Sequence, residues 1–185
     1  STITFGSTVL TNPNAGKFTS FIVRYDINGN VIWAKQPIAV GGTHYNRATG
    51  VIIDNLNNIY VTGTYFSTTL TFDTITLTKN NTAGAFYIVK YDPVGNIIWA
   101  LTTDGVHYGA AAYPPQPYME PSPLNKIAID KISGDIYLAG TFDLPTMVVD
   151  STILINATIN TGLNRKRDAF IVKFNSAGNF IWARS

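Results

Sequence analysis

Three segments of this chain are written to one pattern. They are Phe21-Ile22-Val23-Arg24-Tyr25-Asp26-Ile27-Asn28-Gly29-Asn30-Val31-Ile32-Trp33-Ala34, then Tyr87-Ile88-Val89-Lys90-Tyr91-Asp92-Pro93-Val94-Gly95-Asn96-Ile97-Ile98-Trp99-Ala100, then Phe170-Ile171-Val172-Lys173-Phe174-Asn175-Ser176-Ala177-Gly178-Asn179-Phe180-Ile181-Trp182-Ala183. Each reads as an apolar strand, an Asp/Asn-x-x-Gly-Asn turn and a second apolar strand ending on Trp-Ala, and the chain's 3 Trp residues all fill that slot. Short β-branched runs around a turn signal specify a β-hairpin. A hairpin copied along a chain specifies an array whose copies bury one another. The glycine shared at 29, 95 and 178 is expected to supply a positive φ. Val31 and Trp33 point one way and Ile32 and Ala34 the other, because side chains alternate along a strand. With apolar residues on both faces, these hairpins are expected to be covered on both sides by stacked sheets.

Two further hairpin types fill the intervals. Gly50-Val51-Ile52-Ile53-Asp54-Asn55-Leu56-Asn57-Asn58-Ile59-Tyr60-Val61-Thr62-Gly63-Thr64-Tyr65-Phe66 returns as Lys126-Ile127-Ala128-Ile129-Asp130-Lys131-Ile132-Ser133-Gly134-Asp135-Ile136-Tyr137-Leu138-Ala139-Gly140-Thr141-Phe142, with an Asp closing the first strand. A smaller hairpin recurs over 3–11, 70–78 and 147–155. The interval from Trp99 to Trp182 exceeds that from Trp33 to Trp99, and the excess lies in the Pro- and Tyr-rich stretch 104–125 and the polar stretch 156–168. Repeat scaffolds tolerate insertions in their loops. Residues 1–185 are therefore expected to form a single repeat array, in units of roughly 1–35 (one outer hairpin), 50–101 and 126–185.

Composition excludes more than it assigns. A net charge of +2 is too small to argue for nucleic acid. With 0 Cys there is no disulfide framework and no thiolate metal site. No apolar run approaches the roughly 18 residues of a membrane span, so no membrane insertion is expected. Nor does the sequence begin with a charged-then-apolar leader pattern.

The succession Asp-x-x-x-Asn-Ile-Tyr-Val-Thr-Gly-Thr (54–64), small hairpin, then Tyr-Ile-Val-Lys-Tyr-Asp-x-x-Gly-Asn-Ile-Ile-Trp-Ala (87–100) resembles the bacterial β-propeller repeat family. That family occurs in long secreted or cell-surface proteins, many of them from Bacteroidetes, and the resemblance covers nearly the whole chain. It implies an all-β fold of antiparallel four-stranded blades, with the Asp hairpin as the inner pair and the large hairpin as the outer pair. The small hairpin would be an embellishment between the second and third strands. About two and a half repeats are present, whereas closed propellers have about 4–8 blades. The expectation is an incomplete propeller, or a part of a larger or assembled one. The resemblance implies no enzymatic activity, no catalytic residue and no cofactor. The Gly-x-x-x-Trp turn is also similar to quinoprotein dehydrogenase blades, but the carboxylate cluster that those enzymes need for Ca²⁺ is not visible.

Propeller geometry sends the tight turns to one end of the blades and the connections 36–49, 67–85, 104–125 and 143–169 to the other. Rigid scaffolds carry binding on such loops. The chain's 2 His residues stand there in matching pairs, His44-Tyr45 and His107-Tyr108, and Tyr113 and Tyr118 flank a Pro-rich run. A Tyr offers an apolar ring and a hydroxyl to a sugar or a protein. The alternatives are inherited packing residues for the His-Tyr pairs and an edge-covering lid for 113–119. Asp26-x-Asn28-x-Asn30 begins like a Ca²⁺ loop, but Pro37 stands where a bidentate Glu is needed, so a self-capped turn is expected and no metal site. Arg24, Lys90 and Lys173 are expected to pack their stems and pair with carboxylates. Arg165-Lys166-Arg167 reads as a solvated loop, and the sequons at Asn80 and Asn156 fall in expected loops. The functional expectation is a non-enzymatic structural or interaction segment of a secreted or cell-surface repeat protein. Its partners would be other protein subunits or the rest of a longer chain, and not nucleic acid. The alternative is a carbohydrate-binding, lectin-like propeller using His44, Tyr45, His107 and Tyr108, with glycans as ligands.

Overall fold

The computed structural model of the chain describes residues 1–14, 16–42, 45–79, 84–106, 126–142, 144–157 and 167–185, and among them every regular element is a β-strand. In chain order these are β1 Thr2–Phe5, β2 Thr8–Thr11, β3 Ile22–Tyr25, β4 Val31–Lys35, β5 Ile38–Val40, β6 Asn46–Ile53, β7 Ile59–Tyr65, β8 Thr69–Phe72 and β9 Ile75–Thr78. They continue as β10 Gly84–Tyr91, β11 Ile97–Val106, β12 Lys126–Ile129, β13 Ile136–Phe142, β14 Thr146–Val149, β15 Thr152–Ile155, β16 Asp168–Phe174 and β17 Phe180–Arg184. Their pairings are antiparallel. The order β6-β7-β10-β11 forms the second blade and β12-β13-β16-β17 the third, while β3-β4 is the outer hairpin of the first.

The turns explain why these hairpins form. Asp92 Oδ1 accepts the amides of Val94 and Asn96 at 2.9 and 2.8 Å, and Oδ2 accepts the Asn96 side-chain amide at 2.8 Å. Asp26 closes the first outer turn by the same three bonds, and Asn175 Oδ1 takes the two amides of the third. The glycine four residues into each turn has φ of 82°, 92° and 86° at 29, 95 and 178, a left-handed conformation that a Cβ disfavours. Each outer hairpin carries a bulge just before its turn, at Arg24/Tyr25, Lys90/Tyr91 and Lys173/Phe174.

The small hairpins do more than decorate. β8 pairs with β5, so the small hairpin of the second blade joins the continuation of the first blade's outer strand. β14 pairs with β11 through Asp104 and Val148, so the third blade's small hairpin joins the second blade. The expected embellishment is a strap between neighbouring blades.

Two cores lie at the two blade junctions. One packs Trp33, Leu70, Phe72, Tyr87 and Tyr91 between the first and second blades. The other packs Tyr60, Phe86, Ile88, Met147, Phe170 and Val172 between the second and third. At each junction a Trp lies flat on the next turn. A Cβ on Gly95 would come within 3.0 Å of the Trp33 ring, and one on Gly178 within 3.1 Å of the Trp99 ring.

Burial on both faces of the outer hairpin holds only in part. All positions of β10 are buried, but β16 alternates and β3 is half-buried. Ile32, Ile98 and Ile181, the residue that each bulge leaves out of the ladder, are exposed in every copy.

Candidate functional site

Strand register fixes which end of the blades carries the long connections. Ile53 pairs with Ile59, and Tyr91 with Ile59 and Ile97, beside the tight turns. At the opposite end Asn46 pairs with Tyr65, and Ala85 with Tyr65 and Asp104. The third blade repeats this, with Ile136 opposite Ile129 and Phe174, and Phe142 opposite Asp168. The separation of tight turns from long connections is therefore observed, and the loop end is the candidate surface.

Of the residues singled out there, Tyr45 is described; His44, His107, Tyr108, Tyr113 and Tyr118 lie outside the described residues, as do Asn80, Arg165 and Lys166. Tyr45 stacks on Phe18, with centroids 5.6 Å apart and planes at 27°, and the Lys17 ammonium stands 5.4 Å from its ring centre. Its carbonyl accepts the Phe66 amide at 2.9 Å, which anchors its backbone to the end of β7. Phe18, 62 % exposed, makes this aromatic pair a partly open platform.

Beneath the platform lies a polar joint that sequence reasoning missed. Asn46 is only 3 % exposed. Its Oδ1 accepts the Ser20 amide at 2.8 Å and the Ser20 hydroxyl at 2.7 Å, while its Nδ2 donates to Thr19 Oγ1 at 3.1 Å. The Ser20 hydroxyl lies 3.5 Å from Tyr87 Oη. Burial pushes the Tyr87 phenol up to about 12, with the Ser20 hydrogen bond drawing the other way. A Cβ on Gly63 would come within 2.5 Å of Tyr87 Oη, so this glycine makes room for the phenol. These bonds fasten the segment before β3 to the start of β6, and so fix the base on which Tyr45 sits.

No arrangement capable of chemistry emerges at the other end among the described residues. The turn carboxylates are occupied by their own turns. The Asn30 side chain, first, and backbone amides hold Asp26 below its usual value. At Asp54 burial raises the pKa, but the Asn58 side chain and amide, the Tyr60 hydroxyl and the Leu56 amide outweigh it and leave the group lowered. No group of three or more His, Asp or Glu side chains gathers among the described residues in a way that could hold a metal ion. A crevice between the first two blades, bordered by Ser20, Ile22 and Tyr87, encloses about 10 Å³, room for one water and not for a cofactor.

Two of the three basic positions pair with carboxylates as expected, and the third does not. Lys90 reaches Asp54 at 3.8 Å and Lys173 reaches Asp135 at 2.7 Å. Arg24 instead donates to the Pro93 carbonyl of the next blade, and Lys90 also donates to the Ser176 carbonyl at 3.2 Å. These cations belong to the blade junctions as much as to carboxylates. Asn156 is not an open loop residue either. It is 5 % exposed, and its Nδ2 donates to the Phe142 carbonyl at 3.3 Å.

No family model matches the chain. Over 188 aligned residues it is 29 % identical to an uncharacterized WD repeat-containing protein of Acanthamoeba polyphaga mimivirus, a match that covers 88 % of this chain. The chain spans 12 % of that relative's length. WD repeats build propellers from four-stranded antiparallel blades, as β6-β7-β10-β11 and β12-β13-β16-β17 are built here. The fold is of the β-propeller type. The likeness does not lie in the Trp-Asp pair, because each Trp here precedes Ala, at 34, 100 and 183.

Proposed function

We propose that the chain is a non-enzymatic interaction scaffold: one repeat array, in units of roughly 1–35, 50–101 and 126–185, that holds a protein partner on its loop end. The observation that carries this reading is the asymmetry of the blades. One end is closed by turns whose carboxylates are saturated by their own amides. At the other end every long connection leaves, and there Phe18 and Tyr45 form an aromatic platform braced from below by Asn46. Partly exposed aromatic rings beside a cation are the surface chemistry of protein recognition. The WD repeat-containing relative agrees with a scaffold role. The resemblance to secreted and surface repeat proteins extends the proposal to an extracellular or cell-surface setting.

Proximity labelling around the chain in the cells that make it tests the reading, comparing wild type with Tyr45→Ala, Tyr113→Ala and Tyr118→Ala combined. Protein neighbours lost from the triple variant support the loop end as the partner surface, and an unchanged set of neighbours rejects it. A glycan array that binds wild type, but not the variant with alanine at 44, 45, 107 and 108, would transfer the function to carbohydrate. Protease shaving of intact cells checks the location: a chain protected until lysis is not at the surface.

A further inference from the structure

The end closed by tight turns carries aliphatic side chains at its tips. Leu56 is 76 % exposed, Val94 70 % and Ile132 99 %. In each turn the Asp that opens it holds the tip. The Leu56 amide donates to Asp54 Oδ1 at 2.9 Å, the Val94 amide to Asp92 Oδ1 at 2.9 Å and the Ile132 amide to Asp130 Oδ1 at 2.8 Å. A bond of this kind fixes the residue two places on at the crest of the turn. The exposure does not depend on which neighbours are counted. Val94 has a blade on each side, Leu56 has the third blade after it and Ile132 has the second before it, and all three stay open.

Strand register sets these tips in one layer. Ile59 pairs with both Ile53 and Tyr91, and Tyr91 with Ile97, so the turns 54–58 and 92–96 leave the second blade at one level. Both are closed alike, with the Asp54 amide on the Asn58 carbonyl at 3.0 Å and the Asp92 amide on the Asn96 carbonyl at 2.9 Å. Asn55 Nδ2 donates to the Lys131 carbonyl at 2.8 Å, which ties the inner turn of the third blade to that of the second.

The arrangement decides what such tips can meet. Each stands alone between polar turn residues, so a protein would need a separate pocket for every tip, whereas the boundary between headgroups and acyl chains accepts any such projection. The charges choose the headgroup. Every tip is anchored on a carboxylate, and the Lys90 and Lys173 ammoniums are turned onto Asp54 and Asp135. Among the described residues the end therefore offers no open cluster of cations to anionic lipid, and its carboxylates suit the choline of a zwitterionic one. We propose that the tight-turn end rests on a phosphatidylcholine-type bilayer, with Leu56, Val94 and Ile132 in the headgroup boundary and no segment crossing it. The loop end then points away from the membrane. The tips share no residue with the loop end, so this proposal and the function proposed above stand or fall separately.

Co-sedimentation of the 185-residue chain with phosphatidylcholine vesicles tests it. The test variant combines Leu56→Asn, Val94→Asn and Ile132→Asn. Its turns are expected to hold, because Asn28 already fills the tip position of the first outer hairpin and its amide donates to Asp26 Oδ1 at 2.8 Å. An unchanged urea midpoint checks this. Val94→Asn alone, which copies that first hairpin, serves as a second variant. Wild type is expected to bind, the combined variant to bind about tenfold more weakly and Val94→Asn about twofold to threefold more weakly, since affinity scales with the apolar area buried. Replacing about a third of the lipid by phosphatidylserine is expected to bring no gain. A wild type left in the supernatant, or binding that the substitutions do not change, overturns the proposal. Binding that appears only with phosphatidylserine overturns it equally and moves the contact to basic residues elsewhere. A wild type that ignores vesicles, while the combined variant loses neighbours in proximity labelling, gives the tips to a protein instead.

Discussion

Strands β10 and β16 are nearly the same sentence, Tyr87-Ile88-Val89-Lys90-Tyr91 against Phe170-Ile171-Val172-Lys173-Phe174, in different surroundings. In β10 every position is buried; in β16 burial alternates. Ile88 is 2 % exposed and Ile171 37 %. The cations diverge in the same way. Burial, first, holds Lys90 below its ordinary value with Asp54 pulling back, whereas the hydrogen bond to Asp135, first, raises Lys173. Each copy is written for a neighbour on both sides, and the middle one has both. A repeated sequence thus encodes the capacity for burial, and position in the array decides how much of it is realised.

The contrast is strongest for deletion of side chains. Ile88→Ala should cost about 2–5 kcal/mol in urea unfolding, because it opens a cavity between two blades, while Ile171→Ala should cost less than about 1 kcal/mol. Equal losses would mean that the outer face of the third blade is covered. Next comes the turn glycine. Gly95→Asn forces a Cβ against the Trp33 ring and should cost about 1–3 kcal/mol, whereas Gly29→Asn should move the urea midpoint little. A Gly29 variant as unstable as the Gly95 one would show that backbone conformation, and not the ring, sets the cost. The smallest effect is with pH. Asp26, Asp54, Asp92, Asp130 and Asp135 all lie below the reference value of 3.8. Depressed carboxylates contribute stability that is complete about one unit above that value and is lost as pH falls through the folded values. The urea midpoint should therefore hold near neutrality and drop in acid below roughly pH 4, with the drop reduced in Asp54→Asn and Asp92→Asn. A midpoint that rises on acidification would contradict the turn hydrogen bonds.

The local parts of this fold were legible because their causes are local. Asp92, Gly95 and Asn96 name their own turn, and the alternation of tight turns with long connections follows from the order of hairpins. What was not legible depends on which blade stands beside which. The pairing of β8 with β5 joins short Thr-rich strands whose composition names no partner. Arg24 looked like Lys90 and Lys173, yet its bond is to a backbone carbonyl distant in sequence. At the candidate site Tyr45 was found from its repeated His-Tyr context, but Phe18 and Asn46 were not. A signal existed: Thr19-Ser20 stands where the other copies have Ala85-Phe86 and Asp168-Ala169, a polar departure beside an otherwise faithful repeat. Asn156 misled because a sequon in a polar stretch reads as surface, and only the packing of its amide onto Phe142 reveals otherwise.

The straps shift the seams of the molecule away from the seams of its sequence. Because β14-β15 is fastened to β11 and β8-β9 to β5, a cut made between repeats takes a hairpin from the blade it covers and leaves that blade's outer strand with a raw edge. Moving the cut does not return a hairpin to the blade it covers, because each is inserted between two strands, β7 and β10 or β13 and β16, that pair along their whole length. Neighbouring blades of this array are therefore expected to be exchanged together and not singly.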